Sequence, residues 1–279
     1  MGNAQAGSVD VYGRTHQLDE QTLEVMVTRL EARGQHPVFS QSIDDYMDEV
    51  GPAGTGTLLE LGCGTGVASR RVARRATPPR RIVALDISPY LVAAAGRLAA
   101  EEGLDGRIEW RVSDAHALAL DERFDVVLLH TLISHVADAG QVLDQAVAHL
   151  QARSGRLVVF DVDVASLSIA TEADDGGAET DRLIRKGLFA QPRAIRLMPR
   201  LLAERGLEIV WSRPYAVADI GRPAYFAPLL ASLPILLPKA GVMSDAEARA
   251  FVDDLGRTAE RAVFFGVITF HTVIARRAA

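Results

Sequence analysis

Residues 58–66 read Leu-Leu-Glu-Leu-Gly-Cys-Gly-Thr-Gly, a short apolar strand that runs into glycine at 62, 64 and 66 and then into a helical pattern. Without a Cβ, glycine takes up positive φ and lets the backbone approach a ligand closely. The segment therefore predicts a strand–loop–helix unit with a nucleotide-like cofactor at its turn. The dinucleotide fingerprint G-x-G-x-x-G/A does not fit, because its third small residue, counted from Gly62, falls on Val67. The spacing is wrong for NAD.

Strand and helix alternate from Thr57 to Asp161, a pattern that implies parallel strands joined by right-handed crossovers. Arg81–Asp86 is a second apolar strand ending in an acid, and Ser88-Pro89 marks a helix start with a side-chain cap and proline at the first helical position. Later, Leu157–Asp161 reads as a fifth strand. Beyond it come a helix over Met198–Gly206, a sixth strand at Leu207–Trp211 and a seventh at Val263–Ile274. Two amphipathic helices precede the glycine turn. Asp19–Arg33 places Leu23, Met26, Val27 and Leu30 on one face, and Val38–Val50 places Phe39, Ile43, Tyr46, Met47 and Val50 on another.

Glu60-Leu61-Gly62-Cys63-Gly64-Thr65-Gly66, the strand ending at Asp86, the Asp114 turn and the strand ending before His130 occur in the order and at the spacing of one family. Over roughly residues 55–162 the chain resembles the class I S-adenosylmethionine-dependent methyltransferases, with Val112-Ser113-Asp114-Ala115 similar to their adenine-binding turn and Phe124–Leu129 to their fourth strand. It is most similar to their small-molecule branch, near the ubiquinone/menaquinone-biosynthesis type of C-methyltransferase. The resemblance implies an α/β, Rossmann-like, doubly wound seven-stranded sheet with an antiparallel last strand, N-terminal helices and helical cap insertions. It also implies S-adenosyl-L-methionine as cofactor and a small-molecule acceptor. One domain then spans the chain, with residues 1–51 as an N-terminal helical lid that includes Tyr12 and Arg14. Residues 55–162 form the cofactor core, and 163–191 and 215–262 are acceptor or cap insertions.

On the same resemblance, backbone at Gly62, Cys63, Gly64 and Gly66 approaches the methionine and ribose portions, while Glu60 orients the turn or faces the methionine end. Asp86 accepts from the ribose hydroxyls, Ile87 lies on the adenine face, and Asp114 with Ala115 meets the adenine edge. His130 offers its backbone to the cofactor. His130 and His135 are the candidate catalytic residues, since a histidine titrating near neutrality can deprotonate an acceptor hydroxyl; packing roles for both stay open, and His271 is expected to be structural. Catechol-type members use a metal and an acid after the fourth strand, where this chain has His130. Asp161 and Asp163 follow the fifth strand, but two alternating carboxylates do not define a divalent site, so no metal is expected. Two other readings share the cofactor requirement: a rearrangement enzyme assisted by bound S-adenosylmethionine, and a regulatory protein with no turnover.

Composition narrows the partners. A net charge of −6 with no basic tail argues against nucleic acid, whose binding rests on phosphate neutralisation. The run Arg70, Arg71, Arg74, Arg75, Arg80 and Arg81 is either a solvated face or a seat for an anionic acceptor. Lys186 and Lys239 are the sole lysines, which disfavours lysine chemistry and, with abundant alanine, looks like a bacterial coding bias. Cys63 is the single cysteine, so a reducing cytoplasm is the default and the thiol fills a turn. Ala6 stands where a myristoylation signal needs Ser or Thr. Apolar stretches are broken by Pro228, Pro234 and Pro238, short of a membrane span. A homodimer is left open. An apolar, proline-punctuated insert around Tyr225–Leu237 suits an apolar or aromatic acceptor. Glu172–Asp181 reads as an acidic solvated loop.

Overall fold

The computed structural model describes residues 10–171 and 175–278; the Met1–Ala6 reading and part of the Glu172–Asp181 loop lie outside them. A 3-10 turn, Tyr12–Gln17, leads into α1 (Glu20–Gly34) and α2 (Pro37–Glu49). The alternating unit follows as β1 (Thr57–Leu61), α3 (Val67–Ala73), β2 (Arg81–Asp86), α4 (Pro89–Glu101), β3 (Glu109–Val112), β4 (Val126–His130) and α5 (Ala139–Ala148). The second half comprises β5 (Arg156–Ala170), α6 (Ala178–Leu188), α7 (Ala194–Ala203), β6 (Leu207–Gly221), α8 (Phe226–Lys239), α9 (Asp245–Glu260) and β7 (Phe264–Arg277).

The strands form one sheet in the order β3-β2-β1-β4-β5-β7-β6. β1 to β5 are mutually parallel, and β7 runs antiparallel to both β5 and β6. This is the expected doubly wound, Rossmann-like sheet. Order reverses between β1 and β4, and both strands end at the same level, with Leu61 paired to Leu129. Ligands bind at such a switch point, outside the carboxyl ends of the strands. Leu58, Leu59, Leu61 and Val126–Leu129 are wholly buried, as a parallel strand covered on both faces requires.

Local signals set the helix starts. The Asp19 carboxylate accepts from Thr22 N, and Ser88 Oγ accepts from Leu91 N ahead of Pro89. Ser244 and Glu247 form a reciprocal capping box on α9. Leu23 and Met26 of α1, and Phe39, Ile43, Tyr46 and Met47 of α2, are buried on the predicted faces.

Three boundaries differ from the sequence reading. β5 runs to Ala170 and not Asp161, and β6 to Gly221 and not Trp211, so the ranges 163–191 and 215–262 both begin as sheet. Only Ala178–Leu188 and the pair α8 and α9 are helical there. α7 starts at Ala194, four residues before Met198, and holds Pro199 in its interior. The acidic stretch is likewise part helix, since α6 opens at Ala178. α8 packs on α9, α1 and α6, which joins the N-terminal helices to the second half of the chain.

Most of the arginine run forms ion pairs within the chain, with Arg70 buried and Arg71, Arg74, Arg75 and Arg81 on a partly solvated face. Arg70, 3% exposed, donates to Glu31 of α1 at 2.6 Å and to Glu102 at the end of α4. Arg71 pairs with Asp44, Arg74 with Glu102, Arg75 with Asp48, and Arg81 with Glu109 and Glu122. Among the described residues no helix is long and apolar enough to cross a membrane.

Candidate functional site

The glycine turn is built as its spacing predicts. Gly62, Gly64 and Gly66 have φ of +69°, +55° and +79°. A Cβ on Gly62 would stand 2.4 Å from Leu132 Cδ1, and one on Gly66 would stand 2.3 Å from the Trp110 ring. Both positions therefore exclude a side chain by space as well as by conformation. The loop is pinned from outside: Cys63 N donates to Leu85 O at 2.8 Å, and Gly64 N donates to Asp86 Oδ2 at 2.8 Å. Asp86 Oδ1 accepts from Ser88 N at 2.9 Å, so one carboxylate fixes the glycine turn and the start of α4 together. Burial raises its pKa against those hydrogen bonds.

A cavity of about 1100 Å³, counting its open mouth, lies over this turn. That is at the upper end of the ~300–1,000 Å³ common for small-molecule sites, room enough for a nucleoside with a second reactant. Its floor holds Glu60, Gly62, Cys63, Gly64, Asp86 and Ile87; Asp114, Ala115 and His116 flank one side, and His130, Leu132 and His135 the other. Tyr12, Arg33 and Phe39 face it from the N-terminal segment and helices. The candidate cofactor residues thus converge, with one correction. Gly66 does not line the cavity; it sits behind the turn as the residue before α3, packed on Trp110 and Ala95. Arg14 does not line it either.

Whether the residues fit S-adenosylmethionine is tested by their unused polar atoms. Thr65 Oγ1 and His116 Nε2 line the cavity, are buried, and have no partner among the described residues. His116 Nδ1 lies 2.8 Å from Asp114 Oδ1, which leaves Asp114 Oδ2 available as an acceptor. A ligand with both donors and acceptors at its adenosine end satisfies these groups. The group fits.

Glu60 is 1% exposed, and its Oε2 accepts from Ser69 N at 3.1 Å and from the Ser69 hydroxyl. It ties β1 to α3 beneath the turn. Burial pushes its carboxyl up to about 7, against the two Ser69 hydrogen bonds. Burial also pushes the Cys63 thiol well above its ordinary value, so it stays protonated and is a poor nucleophile.

The two candidate catalytic histidines differ sharply. His130 stacks on Phe160 at 4.6 Å, with its Nδ1 3.2 Å from Tyr46 Oη. Burial, then the nearby Arg33 charge, lowers its pKa to about 3, so it is neutral near pH 7 and a weak proton acceptor. His135 sits between the Tyr12 ring at 4.9 Å and the Phe189 ring at 5.1 Å. Its Nδ1 lies 3.0 Å from Asp10 Oδ2. His271 lies on β7 opposite Asp161, away from the cavity. Asp161 accepts from Ser134 N and Val162 N, and Asp163 holds Arg196 through two bonds of 2.8 and 2.7 Å. Among the described residues no group of three or more His, Cys, Asp or Glu is placed to hold a metal ion.

Four residues of the site escape the sequence reading: Asp10, Arg33, Thr65 and His116. Arg33 is the one lysine or arginine lining the cavity. It donates to Thr131 Oγ1 at 3.0 Å, lies 5.2 Å over the Phe39 ring, and has no ion-paired acid among the described residues. Its spacing of three from Leu30 puts both on one face of α1. His116, two residues after Asp114, follows the Asx-turn pattern.

Residues 58–155 match the family described as a methyltransferase domain. The chain is 28% identical over 154 residues to a ubiquinone biosynthesis O-methyltransferase of Xylella fastidiosa, covering 54% of this chain and 60% of that protein. It is 34% identical over 129 residues to a ubiquinone/menaquinone biosynthesis C-methyltransferase of Dinoroseobacter shibae, covering 46% and 50%. The chain thus spans about half to three-fifths of the curated relatives it matches. It shares its fold with the structure of geranyl diphosphate methyltransferase in complex with S-adenosylmethionine, at a TM-score of 0.53 and 16% identity over 98% of this chain and 96% of that one. The domain match covers the glycine turn and the strands that carry it, so residues 58–155 are a methyltransferase domain, set in the fold of the S-adenosylmethionine-dependent methyltransferases.

Proposed function

We propose that this chain transfers a methyl group from S-adenosylmethionine to a small acceptor with an apolar or aromatic body, and that His135 takes the acceptor's proton. One cavity runs from the glycine turn to His135, and that continuity carries the reading. When bound, S-adenosylmethionine supplies an activated methyl: the carbon–sulfur bond breaks with its electron pair on sulfur as the acceptor's lone pair bonds to carbon.

The chain's own residues hold, orient and shield. The turn and Asp86 fix the ribose end, and Asp114 with His116 offers hydrogen bonds to the adenine. Arg33 faces the cavity near Thr131 and Phe39 with a charge suited to a carboxylate. Aligning two reactants is worth on the order of 7–11 kcal/mol of barrier. A positioned base adds about 10²–10⁴ in rate. Between the two histidines, His135 is favoured because an acid partner faces its Nδ1, whereas His130 is enclosed and held neutral. An aromatic cluster supports the acceptor class: Phe39 stacks on Tyr225 at 6.1 Å beside His130 and Phe160.

The test is formation of S-adenosylhomocysteine when the purified protein and S-adenosylmethionine are given phenols, quinols and apolar acids in turn. Methylated product and S-adenosylhomocysteine should appear together for at least one class. An acceptor consumed with no S-adenosylhomocysteine would instead mean a rearrangement assisted by the cofactor. Calorimetric binding of NAD but of neither sulfur nucleoside would overturn the site itself.

A further inference from the structure

Three stretches far apart in the chain meet at one carboxylate. The Asp10 side chain is fully buried, and its Oδ2 lies 3.0 Å from His135 Nδ1 and accepts from Ala190 N at 2.8 Å. Its Oδ1 accepts from Tyr12 N at 2.8 Å and Gly13 N at 3.3 Å. A carboxylate buried this way is tolerated because several N–H groups point at it. Among the described residues, three of those donors are backbone and fix the acid in place. The fourth belongs to a histidine that lines the cavity.

We propose that Asp10 is the positioning residue of His135, and that docking of the N-terminal segment is what makes this histidine a base. This rests on His135 as the proton acceptor. An ionised carboxylate can only accept, so the proton shared with it sits on Nδ1, and the neutral ring is the Nδ1–H tautomer. Nε2 then carries the lone pair on the side away from Asp10. When Nε2 takes the acceptor's proton, the imidazolium formed lies against the Asp10 charge, which stabilises it. Ring orientation is fixed as well: Tyr12 follows Asp10 by two residues and covers one side of the imidazole, while Phe189 precedes Ala190 and covers the other. Among the described residues, the charged or titratable groups facing His135 are Asp10 and Tyr12 from the N-terminal segment and Asp161 from β5. With residues 10–13 undocked, both the acid and one ring wall are withdrawn.

The test uses the full chain with Asp10→Asn and His135→Gln. Nitrogen-15 NMR of labelled histidine should show the Nδ1–H tautomer for His135 in the wild type, and Asp10→Asn should shift it. With an acceptor that turns over, Asp10→Asn should lose tenfold or more in kcat and change the S-adenosylhomocysteine Kd less than threefold. An Nε2–H tautomer in the wild type overturns the proposal. So does wild-type kcat in Asp10→Asn when His135→Gln is impaired, which leaves the base reading standing without its partner. Full activity in His135→Gln sinks the base reading and the proposal with it. Unfolding midpoints of both variants within a few degrees of wild type separate these results from loss of fold.

Discussion

Asp86 shows how one side chain serves structure and ligand at once. Its two oxygens hold Gly64 N and Ser88 N, and the residue lines the cavity. Asp86→Ala should weaken S-adenosylhomocysteine binding by about 2–4 kcal/mol, the size of two charge-assisted hydrogen bonds, with a folded protein by circular dichroism. An unchanged Kd in calorimetry would place the ribose contact elsewhere. Asp86 was legible in the sequence because an acid at a strand's carboxyl end has one place to go. Asp10 was not, since its partner histidine is 125 residues away and nothing local marks the pair. Gly66 was half legible: the motif reports a left-handed backbone, which it has, but not that the space it vacates belongs to Trp110.

Among the elements, α3 is short and owes its place to Arg70, which reaches α1 and the end of α4 at once. Breaking a fully buried pair costs about 3–5 kcal/mol; Glu31 and Glu102 keep about a quarter of their exposure, so the loss is smaller. Arg70→Met should lower stability by on the order of 2–3 kcal/mol in urea unfolding, with the m-value unchanged. A loss under 0.5 kcal/mol would make the bridge a surface pair in effect. The helices were readable from their caps and spacing, whereas the long strands were not. In β5 the register shifts between Asp163 and Ser168, and in β6 between Ile209 and Trp211, so the two-residue period breaks where each strand was expected to end. Pro214 also argued against a strand. It is accommodated because β6 is the sheet edge, where a missing N–H leaves no ladder bond unmade.

For the molecule as a whole, the cofactor turn is bought at some cost in stability. Glu60 holds its proton to about 7 in the folded chain, against an ordinary value of 4.5. In that window the folded state binds more protons than the unfolded, so stability falls as pH rises from about 4.5 to about 7, by on the order of 3 kcal/mol. Glu60→Gln carries no such proton. The difference in unfolding free energy between variant and wild type should therefore grow in the variant's favour from pH 5 to pH 8, and a constant difference would mean that Glu60 is charged throughout.

The contacts that tie the N-terminal segment and α1 to the rest of the chain bear on how it is made. Asp10 meets His135 and Ala190, and Asp19 meets Lys239, over separations of 125, 180 and 220 residues. Such non-local contacts carry the largest loop-closure cost and form late. Asp10 and Asp19 are thus made well before the partners they wait for, and are among the last residues to find their places. A growing chain can assemble the glycine turn and its strands well before it can cover them, and enclosure of the cofactor waits for the completed second half of the sheet.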